Sequence, residues 1–285
     1  MTVMVAHHGH PGKTDEVRAQ EARSDLAMRL SSLEDMPDSI GLTFEAALRA
    51  MYLSFWTDRD ADYFATCASA AIALQVGSAI FEVTGDNADA IELFILDKTR
   101  TLPMISARTF ASASNWLSAF YLAVICRDQA RMTMLCKIPV DRLRAASRED
   151  EFVYLWVDVL QTFWLRGDGL ASRLLRAMEA SYPDAVRFVS EGYLQTILYP
   201  PVHLFHSLIF KGESPFNEAL KDALEFHKVY WTSDIERFDD ATGAIALAPL
   251  AIACIGYDME VAIEVESDYI PRHMLKGDWL EGFRY

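Results

Sequence analysis

Long apolar-periodic stretches, each ended by a polar or glycine-bearing stop, constrain this chain more than any other feature. Arg127-Asp128, Gly167-Asp168, Gly212-Glu213 and Gly256-Tyr257-Asp258 each follow such a stretch, and Gly85-Asp86 supplies an earlier stop and a new N-cap. Successive marks lie roughly 40–45 residues apart, the spacing of helical-hairpin repeats. The clearest unit covers residues 149–183. Phe152, Leu155, Trp156, Val159, Leu160 and Phe163 line one helix, and Gly167-Asp168 makes the turn. Leu170, Leu174, Leu175 and Met178 line the return helix. The pattern predicts an all-α fold: an irregular array of helical hairpins, a tetratricopeptide-like or α-solenoid-like bundle, with a short extended C-terminal segment.

Residues 1–13 read as a flexible lead, and residues 14–285 as a single all-helical domain. Val17, Ala22, Leu26, Leu30 and Leu33 form a first helical stripe that stops near Pro37. A second helix over 43–57 places Phe44, Leu48, Met51, Tyr52 and Phe55 on one face, and an alanine-rich helix over 58–83 follows. Further helices are expected over 184–198, broken by Pro200-Pro201, then over 201–211 and 214–231. In the last, Ser214 suits the N-cap, Pro215 the first helical position, and Asn217-Glu218 the first turn. Residues 241–256 are nearly all apolar and should form the most buried helix. Val261, Ile263 and Val265 alternate with Glu264 and Glu266, a strand-like pattern for an extended segment lying on the helices.

The net charge of −15 and pI of about 4.8 exclude whole classes of partner. Nucleic-acid binding needs a basic stripe that displaces counterions, and an anionic membrane surface would repel the chain. A basic protein partner would be attracted, although acidity for solubility alone gives the same composition. Cys67, Cys126, Cys136 and Cys254 are widely spaced in apolar surroundings and read as buried thiols of a reducing compartment. The N-terminus has no apolar signal core. The apolar run 241–257 is too short to span a bilayer and contains Gly243, Pro249 and Gly256, so the expected address is cytoplasmic.

Three constellations were weighed for chemistry. His7, His8 and His10 could chelate a metal, but a terminal tail more often carries such residues incidentally. His203 and His206 would share a helix face, with His227 or Glu213 as a conceivable third ligand, yet no His-Glu-x-x-His signature occurs. Glu236, Asp239 and Asp240 form an acidic cluster. All-helical prenyl-chain enzymes hold magnesium with aspartate-rich motifs, but here no further carboxylate follows at helical spacing. A solvated helix end, with Asp240 capping the next helix, is the plainer reading. With no nucleophile elbow, phosphate loop or dinucleotide fingerprint, no catalytic, cofactor or metal residue is assigned.

The run FNEALKDALEFHKVYW (residues 216–231), followed by ATGAIALAPLAIACIGYDMEVAIEVESDYIP (241–271), resembles the bacterial immunity protein 49 family. The block RTFASASNWLSAFYLAVICRDQARMTMLCKIPVDRLR (108–144) and the helix EDEFVYLWVDVLQTF are similar too, with weaker likeness upstream. The match rests on helix-packing residues and their order, and it transfers no catalytic residue. What it implies is an antitoxin role: binding and neutralising a cognate secreted toxin, a basic nuclease domain being one kind that a −15 chain would attract. The candidate toxin-binding residues are Glu236, Asp239, Asp240, Glu260, Glu264, Glu266 and Asp268. The C-terminal acids equally suit an edge strand protected by charge. A helical scaffold that binds a peptide is the alternative function, and an all-helical metal enzyme a further one.

Overall fold

The computed structural model describes residues 2–85, 89–106 and 110–282. Helices dominate: α1 (Lys13–Ser32), α2 (Ile40–Thr57), α3 (Phe64–Val83), α4 (Ala113–Ile125), α5 (Gln129–Cys136), α6 (Val140–Ala146), α7 (Glu151–Trp164) and α8 (Leu170–Ala180). After them come α9 (Glu191–Tyr193), α10 (Tyr199–Phe210), α11 (Glu213–Trp231), α12 (Ile235–Phe238), α13 (Leu247–Asp258) and α14 (Arg272–Lys276). Two small sheets complete the chain: β1 (Val3–Met4) with β4 (Val265–Glu266), and the hairpin β2 (Ala90–Ile95) with β3 (Lys98–Pro103). The fold is all-α, as the periodicity predicts.

The expected turns form where positive-φ residues permit them. Arg127 and Arg166 sit at φ 51° and 55°, and Gly169 at φ 80° opens α8. Asp128 caps α5 by accepting the Arg131 amide at 2.9 Å. Arg127 then ties three elements together, donating to Asp258 at the end of α13 and to the carbonyls of Met274 and Leu275 in α14.

The hairpins do not stack as a solenoid. A solenoid repeat touches only its neighbours, whereas α13 packs on α4 and α10, and residues 241–244 pack on α2. One core therefore joins distant parts of the chain, with Trp116, Trp156, Phe44, Phe205 and Phe216 all fully buried in it. Where α2 meets α3, a Cβ on Gly77 would lie 2.6 Å from the Phe44 ring, so only glycine allows this approach. Two members of expected stripes face water instead: Val17 in α1 and Leu175 in α8.

Several expectations are corrected. The stop at Gly85 leads into the β2–β3 hairpin, not a helix, and the proposed N-cap Asp86 lies outside the described residues. Ile91, Leu93 and Ile95 share one side of β2, with Glu92 and the half-buried Phe94 between them, and a positive φ of 64° at Leu96 tightens the turn. Residues 186–190 are not helical, and Pro200-Pro201 break nothing. The helix opening at Glu191 widens into a π-helical turn over Leu194–Leu198 and continues as α10. The prolines follow directly on this turn, whose wider pairing (Tyr199 N–H to Leu194 O) accommodates residues without an amide hydrogen. Helix α11 starts at Glu213 with Gly212 at the cap position, two residues before the expected cap Ser214, and α13 runs through Gly256-Tyr257-Asp258, with Glu260 at φ 64° just beyond it.

Two stretches, Phe64–Val83 and Ala241–Asp258, are long and apolar enough by composition to cross a membrane. The first carries no charge from Phe64 to Phe81, so 241–257 is not alone in being an uninterrupted apolar run. Both lie mostly inside the protein, with 78% and 67% of their apolar windows buried. All four cysteines are buried, as expected, and none is in a disulfide among the described residues. Burial pushes the Cys67, Cys136 and Cys254 thiols up to about 12.

Candidate functional site: an acidic rim around a docked N-terminal strap

Residues 3–10, read above as a flexible lead, are docked in the structure. Val3 and Met4 pair in parallel with Val265 and Glu266; the Val3 amide donates to Glu264 O at 2.8 Å and the Val5 amide to Glu266 O at 3.0 Å. The chain then runs over a ring cluster. His7 and His8 stack with centroids 4.5 Å apart, and both contact Trp56 and Tyr269. His8 Nδ1 lies 2.7 Å from Tyr269 Oη, and His7 Nε2 lies 3.2 Å from the Ala244 carbonyl. Arg59 donates to Gly9 O, and Lys228 donates to Ala6 O.

From α11, His227 reaches the same cluster: its Nε2 lies 3.1 Å from Gly243 O and its ring stands 4.8 Å from Tyr269. Burial first, then Arg59, lowers His7 to about 3 and His8 to about 4; burial lowers His227 to about 4. All three rings are neutral at physiological pH. Stacked rings cannot converge on one ion, so His7 and His8 act as packing groups rather than ligands.

The two acidic segments flank this strap. On one side, the His8 ring contacts Phe238 of α12, and Arg18 of α1 donates to Asp239 O. On the other, β4 pairs with β1, and Arg59 forms an ion pair with Asp268 at 3.3 Å. The two acidic segments thus flank the strap through Phe238, Asp239, β4 and Asp268, and their seven candidate residues do different work. Glu236, Asp239, Glu260, Glu264 and Glu266 are exposed. Asp240 caps the turn at 241–244 by accepting the Thr242 amide at 2.9 Å, as expected. Asp268 is part-buried by its pairing with Arg59. Neighbouring cations temper the rim: Arg237 pairs with Asp234 and covers the Tyr230 ring at 4.3 Å.

Asn217 was expected only as a first-turn residue of α11, yet it braces the acidic segment. Its Nδ2 donates to Ala262 O at 2.8 Å, and its Oδ1 accepts the Glu264 amide at 2.7 Å. This side chain imitates a neighbouring strand for 262–264. Phe216 beside it is fully buried and lies 3.1 Å from where a Gly256 Cβ would stand. Gly243 is equally confined, because a Cβ there would meet Trp231 at 2.7 Å. Tyr269 is fully buried, and its carbonyl accepts the Ala246 amide at 2.9 Å.

The remaining candidates separate. His203 is exposed and stacks on Tyr199, His206 is half-buried against Phe210, and His227 is engaged in the strap. No group of three or more His, Cys, Asp or Glu side chains is arranged to hold a metal among the described residues.

Fold and site together describe an all-helical protein with exposed acidic segments on either side of a docked strand. The chain belongs to the Immunity protein 49 family, whose sequence model matches residues 58–274. No curated protein and no solved structure matches it. Membership implies a role in toxin immunity, with a cognate toxin as the partner. The matched region includes Asn217, His227, Gly243 and Tyr269, so the braces of the rim fall inside it.

Proposed function

We propose that this protein is an immunity protein that binds its cognate secreted toxin one to one, neutralises it without chemistry of its own, and so protects the producing cell and its kin. The observation that carries this reading is family membership over residues 58–274. The exposed acids at Glu236, Asp239, Glu260, Glu264 and Glu266 support it. They offer a basic toxin domain, such as a nuclease, an electrostatic landing surface on a chain of net charge −15. Asp240 and Asp268 contribute field while also holding the backbone of the rim. Four free buried thiols fit action in the reducing cytoplasm. The closed packing of α13 on α4 weighs against a peptide-binding solenoid.

The deciding experiment is co-expression with the toxin encoded beside it. Growth should be rescued and the two chains should co-purify; loss of both overturns the reading. Charge-neutralising Glu236→Gln, Asp239→Asn and Glu266→Gln together should slow association about ten-fold at low salt, with a much smaller effect at high salt. An unchanged rate would move the interface away from the rim.

A further inference from the structure

A cavity of about 490 Å³ opens between α2, α4, α7, the π-helical turn, α11 and the start of α13. That volume falls in the range of small-molecule sites. Its wall is largely apolar, with Leu117, Phe152, Trp156, Ile197 and Ile245 among the lining side chains. Three phenols from three different elements line it as well: Tyr52 of α2, Tyr121 of α4 and Tyr193 of α9.

These phenols have unusual hydrogen-bond accounts. The Tyr121 hydroxyl accepts the Trp156 indole N–H at 2.7 Å, which leaves its own hydrogen to donate. The Tyr52 and Tyr193 hydroxyls make no hydrogen bond among the described residues, although burial pushes both phenols above their ordinary range. Tyr193 adds to that rise for Tyr52 and for Tyr121, and all three line the one cavity. All three are therefore protonated donors. Tyr52 and Tyr193 are half-buried and their hydroxyls stay open to the cavity, where a ligand oxygen would accept from them.

The charges near the cavity are already engaged. Asp150 accepts the amides of Arg187, Phe188 and Val189, Glu149 accepts those of Ala113 and Ser114, and Arg148 covers the Phe188 ring at 5.4 Å. His227, also in the wall, is neutral and faces Gly243 O. The apolar wall would strip an entering ion of its water, and Arg148, exposed and stacked on Phe188, is the one cation among the described lining residues.

We infer that this cavity binds a small uncharged molecule with an apolar body and a hydrogen-bond-accepting oxygen, held by the Tyr52, Tyr121 and Tyr193 hydroxyls. The inference is independent of toxin binding, since it rests on the cavity alone.

The test uses the full chain labelled at isoleucine δ1 methyls and titrated with three probes: acetophenone, neutral with an acceptor oxygen; ethylbenzene, neutral without one; and benzoate, an anion. Acetophenone should shift the Ile197 and Ile245 methyls saturably and leave Ile80, buried outside the cavity wall, unmoved. Tyr52→Phe and Tyr193→Phe keep the ring volume. Each should weaken acetophenone about five-fold, the worth of one hydrogen bond, while leaving ethylbenzene unchanged. No saturable shift at Ile197 and Ile245 would overturn the inference. So would tighter binding of benzoate, or acetophenone affinity indifferent to both substitutions.

Discussion

The α2–α3 interface and the N-terminal strap are both well packed, but they are held by different physics. Between α2 and α3, Phe44 lies against Gly77 with Ala47, Ala70, Ala73 and Leu74 around the same core, and shape alone decides the fit. In the strap, β1 contributes only two residues, and attachment depends on imidazoles, a phenol and two cations that bond to backbone carbonyls. The contrast teaches that one half of the scaffold responds to volume and the other to protonation. The acidic rim is built on the second kind.

The most damaging break should come in the first region. Phe44→Ala empties the space over Gly77 and should cost about 3–5 kcal/mol in denaturant unfolding, with little dependence on pH between 5 and 8.

The strap should show the opposite profile. His7, His8 and His227 have folded values of about 3, 4 and 4, below the unfolded value near 6.5. The unfolded or undocked chain therefore binds more protons, and the stabilisation they give is complete above about pH 6.5 and is lost as pH falls toward 4. The groups facing them are Arg59, Lys228 and Tyr269, with Asp268 held by Arg59, and the two cations add to the penalty for protonation. Amide exchange at residues 3–10 should accelerate at least ten-fold relative to α3 amides between pH 7 and pH 5, after correction for intrinsic rates. Equal acceleration in both regions would remove the distinction.

Smaller effects sharpen it. Tyr269→Phe keeps the buried ring but removes the partner of His8 Nδ1, and should cost about 1 kcal/mol by the same unfolding assay. Asp268→Asn weakens a part-exposed ion pair with Arg59 and should change stability by about 0–1 kcal/mol. A larger loss would mean that this pair, rather than the ring cluster, anchors the strap.

These differences also explain what the sequence could and could not show. The α7–α8 hairpin was legible because its stripe, its turn and its return stripe are all local, ending at Gly167 and Gly169. The β2–β3 hairpin left a local trace in the alternation of Ile91, Leu93 and Ile95 that was outweighed by the helical setting. The prolines at 200 and 201 misled because a π-helical turn upstream absorbs them, and no simple pattern announces one. The strap left no trace: Val3 and Met4 have no meaning as a strand until Val265 and Glu266 lie beside them. Of the rim, the acids were visible as composition and Asp240 as a cap. Its braces were not, because Asn217 bonding to 262–264 and His227 bonding to Gly243 are products of the folded chain.

The pairing of β1 with β4 also sets a clock. Val3 is made well ahead of its partner Val265, which follows 262 positions later. At roughly 5–20 residues per second, the first strand leaves the ribosome about 13–52 s before it can dock. The α1–α3 layer needs no such wait, because its partners are consecutive. Until residue 265 emerges, the chain is partly assembled and its strap histidines are still in water.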